Sequence, residues 1–396
     1  MNGPNWLLFV AGALLCSLVQ AQDDKVSRLG EYRGYAPVLY GETVRTSSYL
    51  RLRDGTRLAM DLYRPAVNGK AVDTPYPVLW EHSLSRRAPP DVAAASVTRR
   101  MPELVKYGYV VAFVERRGLG ASFGARRGYN DRTEARDAYD VTEWMAARPW
   151  STGKVAVFGC SNTGDAAMHA ATFMPPHLKA VFAGCFSWNK YDGFLRGGIL
   201  ANWGVGPERP VEEDLKNAPV DGDEDLTLLR QAVEEHRNST ALAAMWRSIP
   251  FRDSWSDITG SRFWLEGSAG TSRDALQRSG AAYYIFGGWQ DDFRREGLVA
   301  WANLKGNPAR MVIGPWAHCR SPGFDLLADA HRFFERWLKG VDNGIDREPP
   351  LHLFAENAPA ATAWRSYPAW PPAAPKPMRQ TLAIDAKATE IGRAHV

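Results

Sequence analysis

The chain has few of the residues from which metal and redox centres are built. It contains four cysteines and eight histidines in 396 residues, with neither a Cys-x-x-Cys nor a His-x-x-x-His pair. No Gly-x-Gly-x-x-Gly motif follows a strand and opens a helix, which is the context that a dinucleotide site needs. We therefore expect no metal ion and no cofactor.

Long runs of like charge are also lacking. The net charge of +4 comes from 48 basic and 44 acidic residues that are interspersed along the chain, so no nucleic-acid-binding patch is indicated. With 45% hydrophobic and 23% charged residues, the composition is that of a folded globular protein. Disordered and fibrous classes are excluded.

An apolar stretch at residues 6–19 is shorter than a membrane span. It ends in Val19-Gln20-Ala21, a small-residue pattern typical of signal-peptide cleavage. We predict a signal peptide at residues 1–21, and a periplasmic or secreted protein that makes no stable membrane association after cleavage. No Lys or Arg precedes the apolar stretch, so an uncleaved anchor stays open as the alternative.

The most informative motif is Gly159-Cys160-Ser161-Asn162-Thr163-Gly164. An apolar run at 154–158 precedes it, and a helix-compatible segment rich in small residues follows at 162–173. A strand, a tight glycine turn and a helix are the context of a nucleophile elbow. Because an unaided serine is a poor nucleophile, Ser161 needs a base and an orienting acid from elsewhere. A strand–helix turn that merely contains a serine is the alternative.

Candidates for both partners follow predicted strands further along the chain. The apolar run at 281–286 precedes Asp291 and Asp292, and the run at 310–313 precedes His318. Open α/β sheets gather their sites at the carboxyl ends of strands. The order nucleophile, acid, histidine is that of α/β-hydrolases, with Asp292 as the alternative acid.

Five segments carry a resemblance to a known family. They are RRGLGASFG at 116–124, DAYDVTEWMAARPWSTGKVAVFGCSNTG at 137–164, GGWQDDF at 287–293, IGPWAH at 313–318 and RFFERWLKGVDNGIDREPPLHLF at 332–354. Together they resemble the cocaine-esterase and X-Pro dipeptidyl-peptidase family of serine hydrolases, which also holds the α-amino-acid ester hydrolases. By position, Ser161 matches the family's nucleophile, Asp291 its acid and His318 its base.

The resemblance implies an α/β-hydrolase fold with a helical cap insertion and a C-terminal jelly-roll β-sandwich. We predict the hydrolase domain at 22–187 and 276–348, the cap at 188–275 and an incomplete start of the sandwich at 349–389. Leu351–Phe354 would be the first strand of the sandwich. Helical spacing within the cap predicts that Leu226, Leu229, Val233 and Leu242 are buried. We expect a fragment in which residues 390–396 are a non-native tail.

The implied activity is acyl transfer through an acyl-enzyme. The substrates would be small-molecule esters, amides or short peptides, and the chain an acyl esterase or an α-amino-acid ester hydrolase or acylase. An X-Pro dipeptidyl-peptidase is the alternative; it needs an acidic pocket for a free α-amino group, for which Asp192, Asp292 and Glu296 are candidates. A non-catalytic binding protein on the same fold and a homo-oligomer also stay open.

The oxyanion would be bound by the backbone N–H of Asn162 and a second donor. The family usually supplies a tyrosine hydroxyl from Thr-Pro-Tyr, but this chain has VLWEHSLSRR at 78–87. Ser85 stands where the tyrosine would be, with His82 or a backbone N–H as alternatives.

Three tryptophans and three cysteines flank these motifs. Trp188, Trp289 and Trp316 are candidates for a substrate-binding wall, with core packing as the alternative. After export, the cysteines would be Cys160, Cys185 and Cys319. Since Cys160 and Cys185 follow strands that we expect to be neighbours, a disulfide between them is one reading, and three buried thiols is the other.

Overall fold

A computed structural model describes residues 27, 29–30, 32, 36–84, 87, 96–201 and 209–371. The predicted signal peptide, Ser85 and the predicted non-native tail lie outside the described residues.

The described strands and helices alternate along much of the chain. The strands are β1 (Glu42–Arg51), β2 (Arg57–Val67), β3 (Lys70–Ala71), β4 (Tyr76–Ser83), β5 (Val110–Glu115), β6 (Ser151–Cys160), β7 (Leu178–Gly184), β8 (Leu195–Arg196), β9 (Ile199–Leu200), β10 (Ala282–Gly288), β11 (Ala309–Gly314), β12 (Leu351–Phe354) and β13 (Trp364–Tyr367). The α-helices are α1 (Val97–Arg100), α2 (Arg132–Ala146), α3 (Asn162–Ala171), α4 (Lys190–Phe194), α5 (Thr227–His236), α6 (Leu242–Ser248), α7 (Phe263–Glu266), α8 (Arg273–Arg278), α9 (Arg294–Asn303) and α10 (Leu326–Phe334). Short 3₁₀ helices lie at Met101–Tyr107, Val211–Lys216, Ala269–Ser272 and Ala360–Thr362, and a π-helical turn lies at Glu335–Lys339.

One large mixed sheet organises the molecule. Its order is β1-β2-β5-β4-β6-β7-β10-β11-β12-β13, with β3 paired to β2. The antiparallel β1 and β2 form a hairpin around Asp54-Gly55, and β2 joins β5 antiparallel. From β5 to β12 every neighbouring pair is parallel.

The sheet is buried on both faces. On one face Trp80, Val157 and Ile285 belong to a core that includes residues of α2 and α3. On the other face Leu79 and Phe158 belong to a second core that includes α10. Neighbouring residues of one strand enter opposite cores because side chains alternate along a strand. The central strands therefore read as continuous apolar runs, as expected for a parallel sheet covered by helices.

The strand order places four loops at one edge. The neighbouring strands β6, β7, β10 and β11 end at Cys160, Gly184, Gly288 and Gly314. Since parallel strands end on the same side of a sheet, the loops that carry Ser161, Cys185, Asp291 and His318 meet there.

In the described residues between β7 and β10 there are short helices and the separate two-stranded sheet of β8 and β9, with no further strand of the large sheet. Leu242 and Trp246 of α6 and Phe263 and Trp264 of α7 form a separate apolar cluster. Leu229 and Val233 of α5 are buried against Ala59 and Ala121 of the hydrolase part. Leu226, predicted to be buried, is instead half-buried at the start of α5, with a left-handed φ of 62°. The proposed cap boundaries stay predictions.

The assignment of β12 to a separate sandwich differs from the structure. β12 pairs in parallel with β11 from Met311↔Leu351 to Ile313↔Leu353, and β13 then pairs antiparallel with β12. The sequence LHLF is apolar enough to extend a buried sheet, and Leu351 is fully buried in the first core. These strands therefore continue the central sheet.

Candidate active site

Ser161 occupies the turn between β6 and α3. Its φ of 63° and ψ of −130° are rare for a residue with a side chain. The conformation is held at both ends, since the Ser161 N–H donates to the carbonyl of Gly184 (3.0 Å) and the Asp165 N–H donates to the carbonyl of Ser161 (2.9 Å). This is the backbone of a nucleophile elbow, in which strain presents the hydroxyl at the edge of the sheet.

Two glycines permit the tight turn. A Cβ on Gly159 would lie 2.1 Å from the carbonyl oxygen of Thr163, and one on Gly164 would lie 2.5 Å from that of Gly184. Both neighbours are backbone atoms, which cannot move away as a flexible side chain could. The glycines thus allow β6, α3 and β7 to approach closely.

We expect Gly159→Ala to lower the free energy of unfolding by about 3 kcal/mol, at the upper end of the usual cost of overpacking. Gly41→Ala is the matched control, because nothing lies within 4 Å of its added Cβ. Chemical denaturation of both variants measures the difference. Equal stability of the two variants would contradict the close approach described here.

His318 and Asp291 form a hydrogen-bonded pair beside the elbow. Nδ1 of His318 lies 2.9 Å from Oδ1 of Asp291. The Asp291 side chain is 1% exposed and that of His318 is 44% exposed. The carboxylate is therefore buried beneath the imidazole, and the imidazole is accessible to solvent. The Phe293 N–H also donates to Oδ1 (3.1 Å) and fixes the carboxylate.

The adjacent carboxylate of Asp292 is in a different environment. Its side chain is 58% exposed and lies 2.9 Å from Nη1 of Arg196. Between the two carboxylates that the sequence left as alternatives, the structure brings Asp291 to His318.

The pair shifts the pKa of both members. The hydrogen bond to Asp291 raises the pKa of His318 above its ordinary 6.5, and the charges of Asp291, Asp292 and Asp165 add to the effect while burial opposes it. Burial favours a higher pKa for Asp291, but the hydrogen bond from His318 leads the opposing effects, so the pKa falls below its ordinary value. The Asp291 carboxylate is therefore ionised at neutral pH.

This coupling predicts the pH dependence of activity. A histidine base works only when neutral, so kcat/KM should fall as the pH drops through the pKa of His318. We expect the midpoint of this acid limb above 6.5, the ordinary value, and a lower midpoint in Asp291→Asn. A pH profile of kcat/KM for both proteins measures this shift. A wild-type midpoint at or below the ordinary value would contradict it.

A disulfide joins the Ser161 turn to the His318 loop. It differs from both predictions made for the cysteines. Cys160 is bonded to Cys319, with their Cα atoms 5.9 Å apart, and Cys185 is a buried free thiol. Both the Cys160–Cys185 bridge and the set of three free thiols are therefore wrong. Although β6 and β7 are neighbours as expected, the loop after β11 folds back over them. The residues adjacent to Ser161 and His318 are thus covalently joined.

Arg116 was part of a motif in the sequence but had no assigned role. Its fully buried guanidinium donates to the side-chain oxygen of Asn162 (2.6 Å), to the backbone carbonyl of Asn162 (2.9 Å) and to the carbonyl of His82 (3.1 Å). It is also paired with Glu134 at 3.2 Å. Arg116 therefore ties the first residue of α3, whose N–H is the oxyanion-donor candidate, to the end of β4.

The second oxyanion donor stays open. Ser85 lies outside the described residues. His82 is 1% exposed in β4, where burial first and the charge of Arg116 second hold its pKa well below the ordinary value. Its ring is therefore neutral.

The predicted tryptophan wall is largely absent. Trp316 is 1% exposed and packs near Phe324 and Trp364 in the second core, so its assignment to substrate binding is wrong. Trp188 is also buried. Trp289 is half-buried and donates its indole N–H to the carbonyl of Phe354 (2.6 Å); for this residue substrate binding stays a prediction.

A phenylalanine ring, itself covered by an arginine, borders the imidazole. The ring of Phe293 lies 5.9 Å from that of His318, and the Arg196 guanidinium lies over Phe293 at 5.7 Å. Sequence reasoning missed both. Phe293 is the last residue of the GGWQDDF segment, and its position beside the two carboxylates is the signal that could identify it.

The acidic candidates for binding an α-amino group have partners within the chain. Asp192 accepts a hydrogen bond from Arg252 (2.6 Å) and lies 4.0 Å from Arg295. Glu296 is 6% exposed and accepts from the backbone N–H of Asn189 (2.8 Å). With Asp292 paired to Arg196, all three carboxylates are engaged.

The sheet is mostly parallel, with a serine elbow after β6, an aspartate after β10 and a histidine after β11. This combination defines the α/β-hydrolase fold. The family model described as X-Pro dipeptidyl-peptidase (S15 family) matches residues 54–320. The chain belongs to this family. Its relatives are named as serine esterases and peptidases, and the match confirms the family predicted from the sequence motifs.

Two curated relatives cover most of the chain. A Mycobacterium tuberculosis protein named "putative serine esterase" is 30% identical over an alignment that covers 83% of this chain and 61% of the relative. The cocaine esterase of Rhodococcus sp. is 27% identical over an alignment that covers 83% of this chain and 60% of that protein. The chain thus spans about three fifths of the length of these relatives.

Solved structures share the fold, as predicted. A CocE/NonD family hydrolase from Staphylococcus aureus superposes with a TM-score of 0.63 at 18% identity, covering 83% of this chain and 57% of that one. An α-amino acid ester hydrolase superposes with a TM-score of 0.56 at 18% identity, covering 85% and 60%. No helix among the described residues is long and apolar enough to cross a bilayer.

Proposed function

We propose that the chain carries the catalytic site of an acyl hydrolase that cleaves esters or amides through an acyl-enzyme. The observation that supports this most strongly is the hydrogen bond between Asp291 and His318, located in a loop that a disulfide joins to the Ser161 elbow. In this proposal Ser161 is the nucleophile, His318 the general base and acid, and Asp291 the residue that orients the imidazole.

The first half of the reaction forms the acyl-enzyme. Nδ1–H of His318 donates to Asp291, which leaves Nε2 as the acceptor for the Ser161 proton. The serine oxygen attacks the substrate carbonyl, and His318 then gives the proton to the departing alcohol or amine. The ionised Asp291 stabilises the imidazolium while it exists.

The second half repeats these steps with water. His318 takes a proton from a water molecule that attacks the acyl group, and Ser161 leaves with that proton. In each half the negative oxygen would be bound by the Asn162 N–H at the start of α3. Arg116 holds Asn162 through its carbonyl and its side chain. Ser85, His82 or a backbone N–H would be the second donor.

Esters without a free α-amino group are the substrate class that the charges favour. An exopeptidase of the X-Pro type needs carboxylates that are available for the substrate's ammonium group. Asp192 and Asp292 are instead paired with arginines, and Glu296 accepts a backbone N–H. We therefore place acyl ester hydrolysis first, while the family match to X-Pro dipeptidyl-peptidases supports peptide hydrolysis as the second candidate.

The experiment compares a p-nitrophenyl acyl ester with an aminoacyl-prolyl p-nitroanilide on the purified full chain. We expect a higher kcat/KM for the ester, and no activity on either substrate in Ser161→Ala. A higher kcat/KM for the anilide would favour the exopeptidase. No turnover of either substrate, together with no labelling of Ser161 by a fluorophosphonate, would instead favour a non-catalytic binding protein.

We also propose export to the periplasm or the exterior, as the leader-like residues 1–21 indicate. The Cys160–Cys319 disulfide supports export because structural disulfides persist mainly in oxidising compartments. The residues between β7 and β10 would form a cap that selects small-molecule substrates. Homo-oligomerisation is a further expectation, which size-exclusion chromatography would test.

A further inference from the structure

Three cysteine sulfur atoms lie among the loops that carry the proposed triad. The Cys160–Cys319 disulfide joins the residue before Ser161 to the residue after His318. The third sulfur belongs to Cys185 at the end of β7, and the Cys319 N–H donates to it at 3.3 Å. This thiol also lies within 4.8 Å of both the Asp291 carboxylate and the His318 imidazole.

We propose that the Cys160–Cys319 disulfide is a positioning element of the active site, which holds His318 against the Ser161 elbow so that full hydrolase activity requires the oxidised bridge. The inference rests on the proposed function, since it concerns the rate of the Ser161 reaction. Neither cysteine would touch substrate. Both would act through the residue next to them.

The loop that carries His318 is anchored before the imidazole, where Trp316 is buried in the second core and the Gln290 N–H donates to its carbonyl (3.1 Å). Within it, the Arg320 N–H bonds locally to the carbonyl of Ala317 (3.3 Å). Cys319 adopts a left-handed φ of 57°, a conformation that a side chain disfavours unless the surroundings hold it. The surroundings that hold Cys319 are the disulfide and the Cys185 sulfur. Breaking the bridge would remove the covalent link between the His318 loop and the Ser161 turn. The half-exposed imidazole would then be held by its hydrogen bond to Asp291 and its contact with Phe293.

The position of the base matters because the proton transfer is sensitive to distance. A displacement of about 1 Å in a catalytic group costs on the order of a hundredfold in rate. Substrate affinity depends less on the histidine than on the pocket. Loss of the bridge should therefore lower kcat much more than it changes KM.

The Cys185 thiol is expected to be unreactive towards the Cys160–Cys319 disulfide. Burial, and after it the charge of Asp291, raises the pKa of this thiol well above its ordinary value. Only a thiolate exchanges with a disulfide, so a thiol that stays protonated does not shift the bridge to another pair. The arrangement thus keeps one disulfide and one thiol in contact.

Reduction needs an external dithiol such as dithiothreitol. The dithiol supplies two electrons and two protons, the Cys160–Cys319 bond breaks, both residues become thiols, and the reductant leaves as its own cyclic disulfide. Peptide mapping by mass spectrometry reports whether the bridge is intact. Near-UV circular dichroism reports whether the fold is retained.

The experiment measures kcat and KM for an acyl ester before and after reduction, with EDTA present. We expect kcat to fall at least tenfold, KM to change less than threefold, and reoxidation to restore kcat. EDTA is included because freed thiols beside Asp291 and His318 could capture a thiophilic metal. A parallel reduction omits EDTA; if adding EDTA to that sample restored the full kcat while the bridge stayed reduced, metal capture would replace the positioning explanation.

A double variant provides a second, independent arm. Cys160→Ala/Cys319→Ala should have the same low kcat without reductant and should not respond to it. Cys185→Ala retains the bridge and should still lose activity on reduction. If either the mapped, reduced enzyme or the folded double variant keeps the full kcat, the inference is overturned. If instead the oxidised protein neither turns over ester nor reacts with a fluorophosphonate, the proposed function itself fails.

Discussion

Ser161→Ala is expected to lower kcat for ester hydrolysis by about 10⁴-fold or more, the usual consequence of removing the nucleophile of a hydrolase triad. The variant keeps the elbow backbone but has no oxygen that can be acylated. KM should change little, because the hydroxyl adds little to ground-state binding. Steady-state kinetics on a p-nitrophenyl ester and labelling with a fluorophosphonate measure both effects.

Ser321→Ala is the matched control for this variant. It removes the same hydroxyl group from the His318 loop, where Ser321 bonds locally to the carbonyl of Phe324 (3.4 Å). We expect its kcat within about twofold of wild type, since surface hydroxyls away from the chemistry rarely matter. Substantial activity in folded Ser161→Ala would remove the basis for the acyl-enzyme mechanism.

The second large effect is expected from Asp291→Asn. Asparagine keeps the shape of the carboxylate but has no charge to stabilise the imidazolium, and it permits the wrong histidine tautomer. In a serine-protease triad this change lowers kcat about 10⁴-fold. The same order is expected here, because His318 Nδ1 lies 2.9 Å from Asp291 Oδ1.

Asp292→Asn makes the identical chemical change one residue away. Its carboxylate is exposed and paired with Arg196, so we expect kcat within about fivefold of wild type, the range of a weak surface ion pair. The two variants, assayed side by side on one ester, decide between the carboxylates. The reverse ranking would assign the acid role to Asp292 and require a different conformation of this loop.

The sequence predicted the parts of the site that local signals determine. The strand ends before Ser161, Asp291 and His318 follow from apolar runs that stop at glycines. Parallel strands then bring their carboxyl ends together. The order of Ser161, Asp291 and His318 along the chain, together with the family motifs, then predicted the catalytic role of each residue.

The predictions that failed concern contacts between segments that are far apart in the sequence. The bridge from Cys160 to Cys319 spans 159 positions of sequence and arises because the loop after β11 returns over β6. The contact of Arg116 with Asn162 joins the end of β5 to the start of α3, and a motif alone does not say which carbonyl a guanidinium will reach. Trp316 looked like a pocket residue because it stands two positions before His318, yet its side chain turns into the core.

The four loops of the site follow four adjacent strands, whereas the long segment between β7 and β10 leaves the sheet and returns to it. Because both ends of this segment lie in the sheet, its middle can change in length or shape without altering the spacing of the strands that end at the site. If the segment forms the proposed cap, substrate selectivity and catalytic reactivity reside in separate stretches of this polypeptide. Grafting the equivalent stretch of a relative should exchange substrate preference while the rate of the acylation step is largely preserved.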